Sequence, residues 1–273
     1  MKDWKSHIDL SPPYWQDYRH FLSRLDGREF PDTQSLNRLL PGKLVNRKGA
    51  AVQFLPARQL ADVPYEKHIY ESGEISTREN NWHDLFNALV WCRLPRLKLA
   101  MNTLHARHMG PEDTESRGKV RDALTLFDEC GAIVFSSDRN RIASLADRDW
   151  KTVFEPDSRS PDGQLQLVLT GHALLEKFLH PYKSITAHVL LLQVDRDWAQ
   201  QPRELILSDL DESLATLLVS EQLFLEPADL SPLPLMGLPG WWQECAQDDA
   251  FYADRSVFRQ PPGEFRPAPV FTL

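Results

Sequence analysis

The stretch RDALTLFDECGAIVFS, residues 121–136, contains the transition that decides the fold class. Its first part is a helical pattern with Leu124 and Phe127 on one face, and Gly131 is a residue that commonly ends a helix. The segment that follows, Ala132–Ser136, is short, apolar and partly β-branched, which predicts a buried strand. A helix followed at once by a buried strand indicates a domain that mixes both kinds of element.

Two further segments are predicted to be strands. Leu165–Thr170 follows the turn-rich linker Glu155–Gln164, and Thr186–Val194 lies in the apolar segment ITAHVLLLQV. Together with Ala132–Ser136 they make a sheet of about three strands. We therefore predict an α+β or α/β fold, predominantly helical, around this small sheet.

Helical patterns occupy much of the remaining chain. In NNWHDLFNALVW, Asn80–Trp91, apolar residues recur at i, i+3, i+4 and i+7, and Thr77 or Asn80 is placed to cap the helix. Pro95 suits the first turn of the next helix, so we expect a bend before it. The other predicted helices are Ser116–Cys130, Arg141–Phe154, His172–His180 and Leu210–Leu218.

We predict one domain, residues 1–273, in three consecutive parts. Residues 1–75 carry prolines between short apolar groups and are expected to wrap irregularly on the core, because proline fixes φ and lacks an N–H donor. Residues 76–226 form the core. Residues 227–273 are rich in proline and aromatic side chains, which are costly to leave in water, so we expect an irregular arm packed on the core.

The composition is typical of a soluble protein. The 39 acidic and 31 basic residues give a net charge of −8, which disfavours general binding to nucleic acid or anionic lipid. The N-terminus lacks the apolar core of a secretory signal, no apolar run reaches the length of a membrane span, and the three cysteines are isolated. We expect a cytoplasmic protein without a membrane span, whose partner is an unknown small molecule or protein.

Five stretches of the chain resemble the bacterial domain-of-unknown-function 3025 family. They are TRENNWHDLFNALVWCRLPRLKLAMN (Thr77–Asn102), RDALTLFDECG (Arg121–Gly131), GHALLEKFLHPYKSITAH (Gly171–His188), PLPLMGLPGWW (Pro232–Trp242) and FYADRSVFR (Phe251–Arg259). The resemblance implies a bacterial protein of one domain. It brings no established activity, cofactor or catalytic residue.

The helix Asn80–Trp91 carries polar residues that a core helix does not need. His83 and Asn87 are four residues apart and share a helix face, while Asp84 projects about 100° away from His83. A carboxylate beside an imidazole can orient the ring and keep it basic. This helix is therefore a candidate part of a functional site.

The segment TGHALLEK supplies further candidate metal ligands. His172 lies at a predicted strand-to-helix junction and Glu176 follows one helical turn later, so both side chains can converge on one divalent ion. We predict that His83, His172 and Glu176 hold zinc, manganese or iron, because these metals accept mixed nitrogen and oxygen ligands.

The catalytic residues that we predict are Asp84 and His188. His188 lies in an apolar strand, where an inward-facing imidazole needs a hydrogen-bond partner or a metal. In a metal-dependent hydrolase, either side chain can orient a water molecule or take its proton.

The same residues also have a purely structural interpretation. His172 can cap its helix, Glu176 can pair with a lysine in solvent, and His83 can bond a backbone carbonyl; no dense signature such as HExxH is present. The alternative function is then a non-catalytic binding or scaffold protein that uses the aromatic C-terminal arm as its interface.

A row of acidic residues on the helix Ser116–Cys130 is a second candidate feature. Asp122, Thr125 and Glu129 share a face that is either the wall of a cleft or a solvated surface. Asp128 and Glu129 lie in the last turn, where the helix dipole disfavours acids. We therefore expect a basic partner for them, for which Arg78, Arg96 and Arg121 are candidates.

Covalent catalysis and nucleotide binding receive little support. Cys130 precedes the end of a helix, where the dipole raises a thiol pKa, and Cys92 and Cys245 lie among apolar residues. The chain contains no GxSxG, GxxxxGK[ST] or GxGxxG motif.

Overall fold

A mixed five-stranded sheet lies at the centre of the fold, with helices against both of its faces. The structure is a computed structural model and describes residues 4–60, 64–109, 115–154, 165–261 and 263–273, so the predicted linker Glu155–Gln164 lies outside the described residues. Within these ranges it also contains a two-stranded parallel sheet and twelve α-helices. The predicted mixture of helices and strands is confirmed.

The strands are short, and most of the helices between them have fewer than ten residues. The strands are β1 (Gln53–Pro56), β2 (Glu74–Thr77), β3 (Gly131–Ser136), β4 (Gln166–Leu169), β5 (Thr186–Gln193), β6 (Ser231–Pro234) and β7 (Val270–Thr272). The helices are α1 (Arg19–Arg24), α2 (Thr33–Asn37), α3 (Tyr65–Ser72), α4 (Trp82–Arg93), α5 (Pro95–His108), α6 (Glu115–Cys130), α7 (Arg139–Ala146), α8 (Trp150–Phe154), α9 (His172–Lys177), α10 (Arg196–Ala199), α11 (Arg203–Val219) and α12 (Asp249–Tyr252).

The large sheet has the strand order β4-β3-β5-β6, and β7 also pairs with β5. β3 is antiparallel to β4 and parallel to β5. β6 pairs with Thr186–Val189 of β5, and β7 pairs with Leu191–Gln193, so these two short strands follow one another along β5. The predicted sheet of about three strands is therefore wrong: the three predicted segments are β3, β4 and β5, and β6 and β7 complete the sheet.

The two strands that were not predicted, β6 and β7, come from the C-terminal part that we expected to be an irregular arm. β6 has the sequence SPLP, and β7 has three residues. Proline cannot donate to a sheet ladder, and three residues are too few to show an alternating pattern, so neither segment carries a local strand signal.

Both faces of the large sheet are buried. In β3, Ile133 and Phe135 pack with α5, α6 and α11 on one face, while Ala132 and Val134 pack with α4, α7, α8 and α9 on the other. A strand covered on both faces needs apolar residues at every position, which explains the continuous apolar run of β3.

The helix boundaries differ from the predicted ones at two places. Asn81 caps α4, because its side chain accepts a hydrogen bond from the Asp84 backbone N–H at 2.9 Å, so neither Thr77 nor Asn80 is the cap. Residues 141–154, predicted as one helix, belong to α7 and α8, with Arg148 at a φ of 57° between them. Among the described helices, none has both the length and the apolar character needed to cross a membrane.

Candidate functional site

A cavity of about 360 Å³ opens where α3, α4, α5, α6 and the start of α9 meet. Polar and titratable side chains make up most of its lining, among them Glu66, His83, His105, Glu129 and His172. A pocket of this size that carries convergent polar groups is a natural place to look for ligand binding.

Two glycines bring the end of α6 to the start of α9. Because β3 and β4 are antiparallel neighbours, the residue that begins β3, Gly131, lies beside Gly171, and its carbonyl accepts the backbone N–H of Gly171 at 2.8 Å. A Cβ atom on Gly171 would lie 2.5 Å from the Gly131 nitrogen and 2.6 Å from the Glu129 carbonyl oxygen. Only glycine permits this approach, which places Glu129 next to His172.

The third member of the cluster, His83, comes from the first turn of α4, which packs against α9. Its Nδ1 atom is 3.0 Å from Glu176 Oε2, and its Nε2 atom is 3.0 Å from His172 Nε2. The two imidazoles are thus in direct contact, edge to face.

Three ligand atoms surround one point in the cavity. His172 Nε2 lies 3.6 Å from Glu129 Oε2, and His83 Nε2 lies 3.9 Å from the same oxygen. Around a tetrahedral zinc ion with bonds of about 2.0 to 2.2 Å, neighbouring ligand atoms are about 3.3 to 3.6 Å apart. The triangle of 3.0, 3.6 and 3.9 Å matches this spacing on average.

The partners of the two Nδ1 atoms leave both Nε2 atoms directed at the centre of the triangle. With His83 Nδ1 donating to Glu176, the lone pair of the neutral ring lies on Nε2. Burial lowers the pKa of His172 to about 4, against the opposing charge of Asp128, so this ring is neutral at neutral pH. Its buried Nδ1 lies 3.7 Å from Asp128 Oδ2, which favours the tautomer with the proton on Nδ1. The two Nε2 atoms then face each other, and a proton or a metal ion between them satisfies both lone pairs.

Glu129 adds a negative charge that its surroundings do not compensate fully. Burial raises the pKa of Glu129, although the nearby His83 opposes this effect. A carboxylate in such surroundings gains stability when a cation binds beside it.

A chain of buried polar side chains supports His172 from behind. Lys98 is only 5% exposed and donates to Asp128 Oδ1 at 2.5 Å and to Asn87 Oδ1 at 2.9 Å. Asn87 in turn donates to the Tyr65 hydroxyl at 2.8 Å. The basic partner of Asp128 is therefore Lys98, which was not among the partners predicted from the sequence.

The structure brings together some of the residues predicted from the sequence and not others. His83 and His172 meet. Glu176 approaches His83 from the Nδ1 side, away from the triangle, and Glu129 occupies the position that was expected for Glu176. Asp84 lines the cavity but is bound by Arg78, whose Nη2 lies 2.7 Å from Asp84 Oδ1.

His188 lies outside the cluster. It is on β5, where its Cα pairs with that of Gly131, and it is not among the residues that line the cavity. Burial lowers its pKa, and the charges of Lys177 and Arg148 act in the same direction. Its place gives it no direct contact with the triangle.

Glu129 was not predicted as a metal ligand, although it belongs to the acidic row that the sequence shows. Thr125 and Glu129 of that row line the cavity, whereas Asp122 is exposed to solvent. The pairing of β3 with β4 would have identified Glu129. Because α6 leads into β3 and β4 leads into α9, the antiparallel pairing of these strands brings the end of α6 next to the start of α9.

A protein-family model matches most of the chain. The family is described as "Protein of unknown function (DUF3025)", and the match covers residues 52–261, which is well over half of the chain. No curated protein and no solved structure matches the chain significantly. The matched residues include His83, Glu129 and His172.

Proposed function

We propose that this chain, which belongs to the DUF3025 family, is a metal-dependent hydrolase that holds one divalent ion between His83, His172 and Glu129. The observation that carries the proposal is the triangle of two imidazole nitrogens and one carboxylate oxygen, 3.0 to 3.9 Å apart, at the wall of a cavity. Three protein ligands leave one position of a tetrahedral ion free for water or substrate, which is the arrangement of catalytic zinc sites.

Zinc fits the ligand set best, and manganese and iron accept the same ligands. The ion would supply a Lewis acid and lower the pKa of a bound water molecule. Glu176 would orient His83 through Nδ1, as carboxylates commonly do for metal-bound histidines. Asp84 is the side chain that we propose to orient the water molecule, whereas His188 has no part in this scheme because it lies outside the cavity.

Metal content of purified variants tests the proposal. We expect near-stoichiometric metal, by elemental analysis, in the wild-type protein purified without added metal or reloaded with zinc. His172→Ala and Glu129→Gln remove a ligand each and should lose the metal. Asp122→Asn is a matched control, since Asp122 is an exposed acid on the same helix, and it should retain the metal.

The variant Glu176→Gln tests the role that we propose for Glu176. If Glu176 orients His83, Glu176→Gln should weaken metal affinity by about 10- to 100-fold without abolishing it. If the wild-type protein binds neither zinc nor manganese, or if Glu129→Gln keeps full affinity, the proposed centre does not exist.

The alternative function is a non-catalytic binding or scaffold protein. The observation that favours it is the buried network of Lys98, Asp128, Asn87 and Tyr65, since such networks can serve only to lock helices together. In that case His172→Ala would reduce stability in the same way with and without added metal.

A further inference from the structure

The lining of the cavity includes polar groups that the proposed metal centre does not use. Glu66 and Tyr65 of α3 and His105 of α5 line the cavity together with the metal-site residues. We propose that these three side chains form a subsite for a primary ammonium group of the substrate. This inference rests on the proposed hydrolase function and deepens it by naming the substrate class.

His105 is a buried histidine whose ring has no partner among the described residues. It is 6% exposed, and no hydrogen bond or ion pair joins it to another residue in the described ranges. Burial lowers its pKa, although Glu66 and Asp128 oppose this effect, so the ring is neutral at neutral pH. A neutral imidazole offers one lone pair as a hydrogen-bond acceptor. A buried imidazole requires a hydrogen-bond partner, and a ligand bound in the cavity can be that partner.

Glu66 is a carboxylate without a cation in the described part of the chain. Its Oε2 atom accepts one hydrogen bond, from Nδ2 of the buried Asn102 at 2.6 Å, and this contact holds the carboxylate in place. No lysine or arginine of the described residues forms an ion pair with it. Since a carboxylate can accept about four hydrogen bonds, most of its capacity is free.

Tyr65 adds a third acceptor. Its hydroxyl oxygen accepts a hydrogen bond from Asn87 Nδ2 at 2.8 Å and has a second lone pair. Asn87 is itself held by Lys98, so the position of the hydroxyl is fixed by buried neighbours.

The charge around Tyr65, Glu66 and His105 selects a cation. Lys98 is hydrogen-bonded to Asp128 and neutralises it, which leaves the charge of Glu66 uncompensated. An anionic group would be repelled by Glu66 and would find no free cation among the described residues beside the neutral His105. An ammonium group has three N–H donors for the three acceptors, in charge-assisted hydrogen bonds.

The substrate class follows from the metal centre and the ammonium subsite together, because both line one cavity. The proposed metal ion would act on a carbonyl group, and the subsite would bind an ammonium group of the same molecule. The cavity of about 360 Å³ limits that molecule to a small size. We therefore infer that the substrates are small amides or esters that carry a primary amine.

Pairs of hydroxamates, one with an amino group and one without, test the subsite. The hydroxamate group of each compound binds the metal ion, so the difference in affinity within a pair reports the contribution of the amino group. Acetohydroxamate first reports whether the zinc-loaded protein binds the metal-chelating group at all. The hydroxamates of glycine, β-alanine, 4-aminobutyrate and 6-aminohexanoate are then compared with unsubstituted alkyl hydroxamates of equal length. For one chain length we expect the amino compound to bind at least about tenfold more tightly.

Variants test whether this gain in affinity comes from the subsite. Glu66→Gln should reduce the ratio between the paired compounds to about one and leave acetohydroxamate binding unchanged. Glu71→Gln, which changes an exposed acid on the same helix, should keep the wild-type ratio. If no chain length shows a gain, or if the gain persists in Glu66→Gln, the subsite is wrong while the metal centre stands.

A second measurement does not need the metal. In metal-free protein with ¹⁵N-labelled histidines, n-butylammonium should shift the ring resonances of His105, whereas butyrate and n-butanol should not. Failure of acetohydroxamate to bind would count against the metal centre, and absence of the His105 shift would count against the ammonium subsite.

Discussion

At the scale of single residues, His172 combines the properties expected of a metal ligand. It is 4% exposed, neutral at neutral pH because burial lowers its pKa to about 4, and in contact with a second imidazole. A buried neutral histidine does not need to lose a proton before it binds a metal, so its burial favours metal binding near pH 7.

The lowered pKa of His172 predicts a pH dependence of stability. The unfolded chain protonates this residue near the ordinary pKa of 6.5, and the folded chain only near 4. As the pH falls through this window, the unfolded state gains a proton that the folded state does not, so the free energy of unfolding decreases. The stabilisation is complete above pH 6.5 and amounts to about 3 kcal/mol.

Urea unfolding of metal-free protein measures this effect. Between pH 7 and pH 4 the free energy of unfolding of the wild-type protein should fall by about 3 kcal/mol more than that of His172→Asn, which lacks the titrating group. Groups that make no contact with His172, including His188, titrate equally in both proteins and cancel in the comparison. Identical pH profiles for the two proteins would contradict a lowered pKa at His172.

At the scale of elements, the site depends on how closely α6 and α9 approach at the edge of the large sheet. The contact is made by backbone atoms of Gly131 and Gly171, with no side chain between them. This geometry carries Glu129 to the Nε2 side of His172. The glycines therefore have a direct structural role in forming the cavity wall.

Replacement of Gly171 by alanine should disturb both the fold and the site. The new Cβ would meet backbone atoms of Gly131, Glu129 and Cys130 at 2.5 to 2.8 Å, so the two segments would have to separate. We expect a loss of about 1 to 3 kcal/mol in the free energy of unfolding and a fall of about tenfold or more in zinc affinity.

Gly118→Ala is the matched control for this variant. Gly118 lies in α6, and a Cβ atom added there would meet no other atom within 4 Å, so alanine should be neutral or stabilising and zinc affinity should not change. Unfolding experiments and zinc titrations on both variants distinguish the effect of forcing Gly131 and Gly171 apart from a general effect of adding a methyl group. Wild-type behaviour of Gly171→Ala would show that the approach is not required.

At the scale of the whole molecule, the N-terminal segment is fastened to the sheet by specific contacts. Arg203 of α11 forms two hydrogen bonds to Asp17, at 2.6 and 2.9 Å, and a third to the Leu167 carbonyl of β4 at 2.7 Å. Tyr18 donates to the Leu169 carbonyl of the same strand. These contacts join three parts of the chain that are far apart in sequence.

Loss of the Arg203 guanidinium should be costly because Asp17 would stay buried without its partner. The Asp17 side chain is only 5% exposed. We expect Arg203→Met to lower the free energy of unfolding by about 3 kcal/mol. Arg28→Met removes an exposed ion pair with Asp26 and should cause no measurable change in urea unfolding. Equal effects of the two substitutions would contradict the role assigned to the buried pair.

The sequence by itself determined the features that depend on neighbouring residues. The apolar periodicity of α4 and α6, the glycine at the end of α6 and the apolar runs of β3, β4 and β5 are local patterns, so these elements are recognisable without a structure. Two polar exceptions, His83 in α4 and His172 at the start of α9, were recognisable for the same reason, because each departs from the pattern of its own segment.

Only the tertiary structure decided which side chains meet. The placing of Glu129, and not Glu176, on the Nε2 side depends on the register of β3 against β4 and on the packing of α4 against α9. The pairing of Lys98 with Asp128 depends on the packing of α5 against α6, and the place of His188 on the register of β3 against β5. The strands β6 and β7 exist because β5 presents an unpaired edge to them. Such contacts join residues tens of positions apart, and their free energy comes from packing and pairing that no local pattern records.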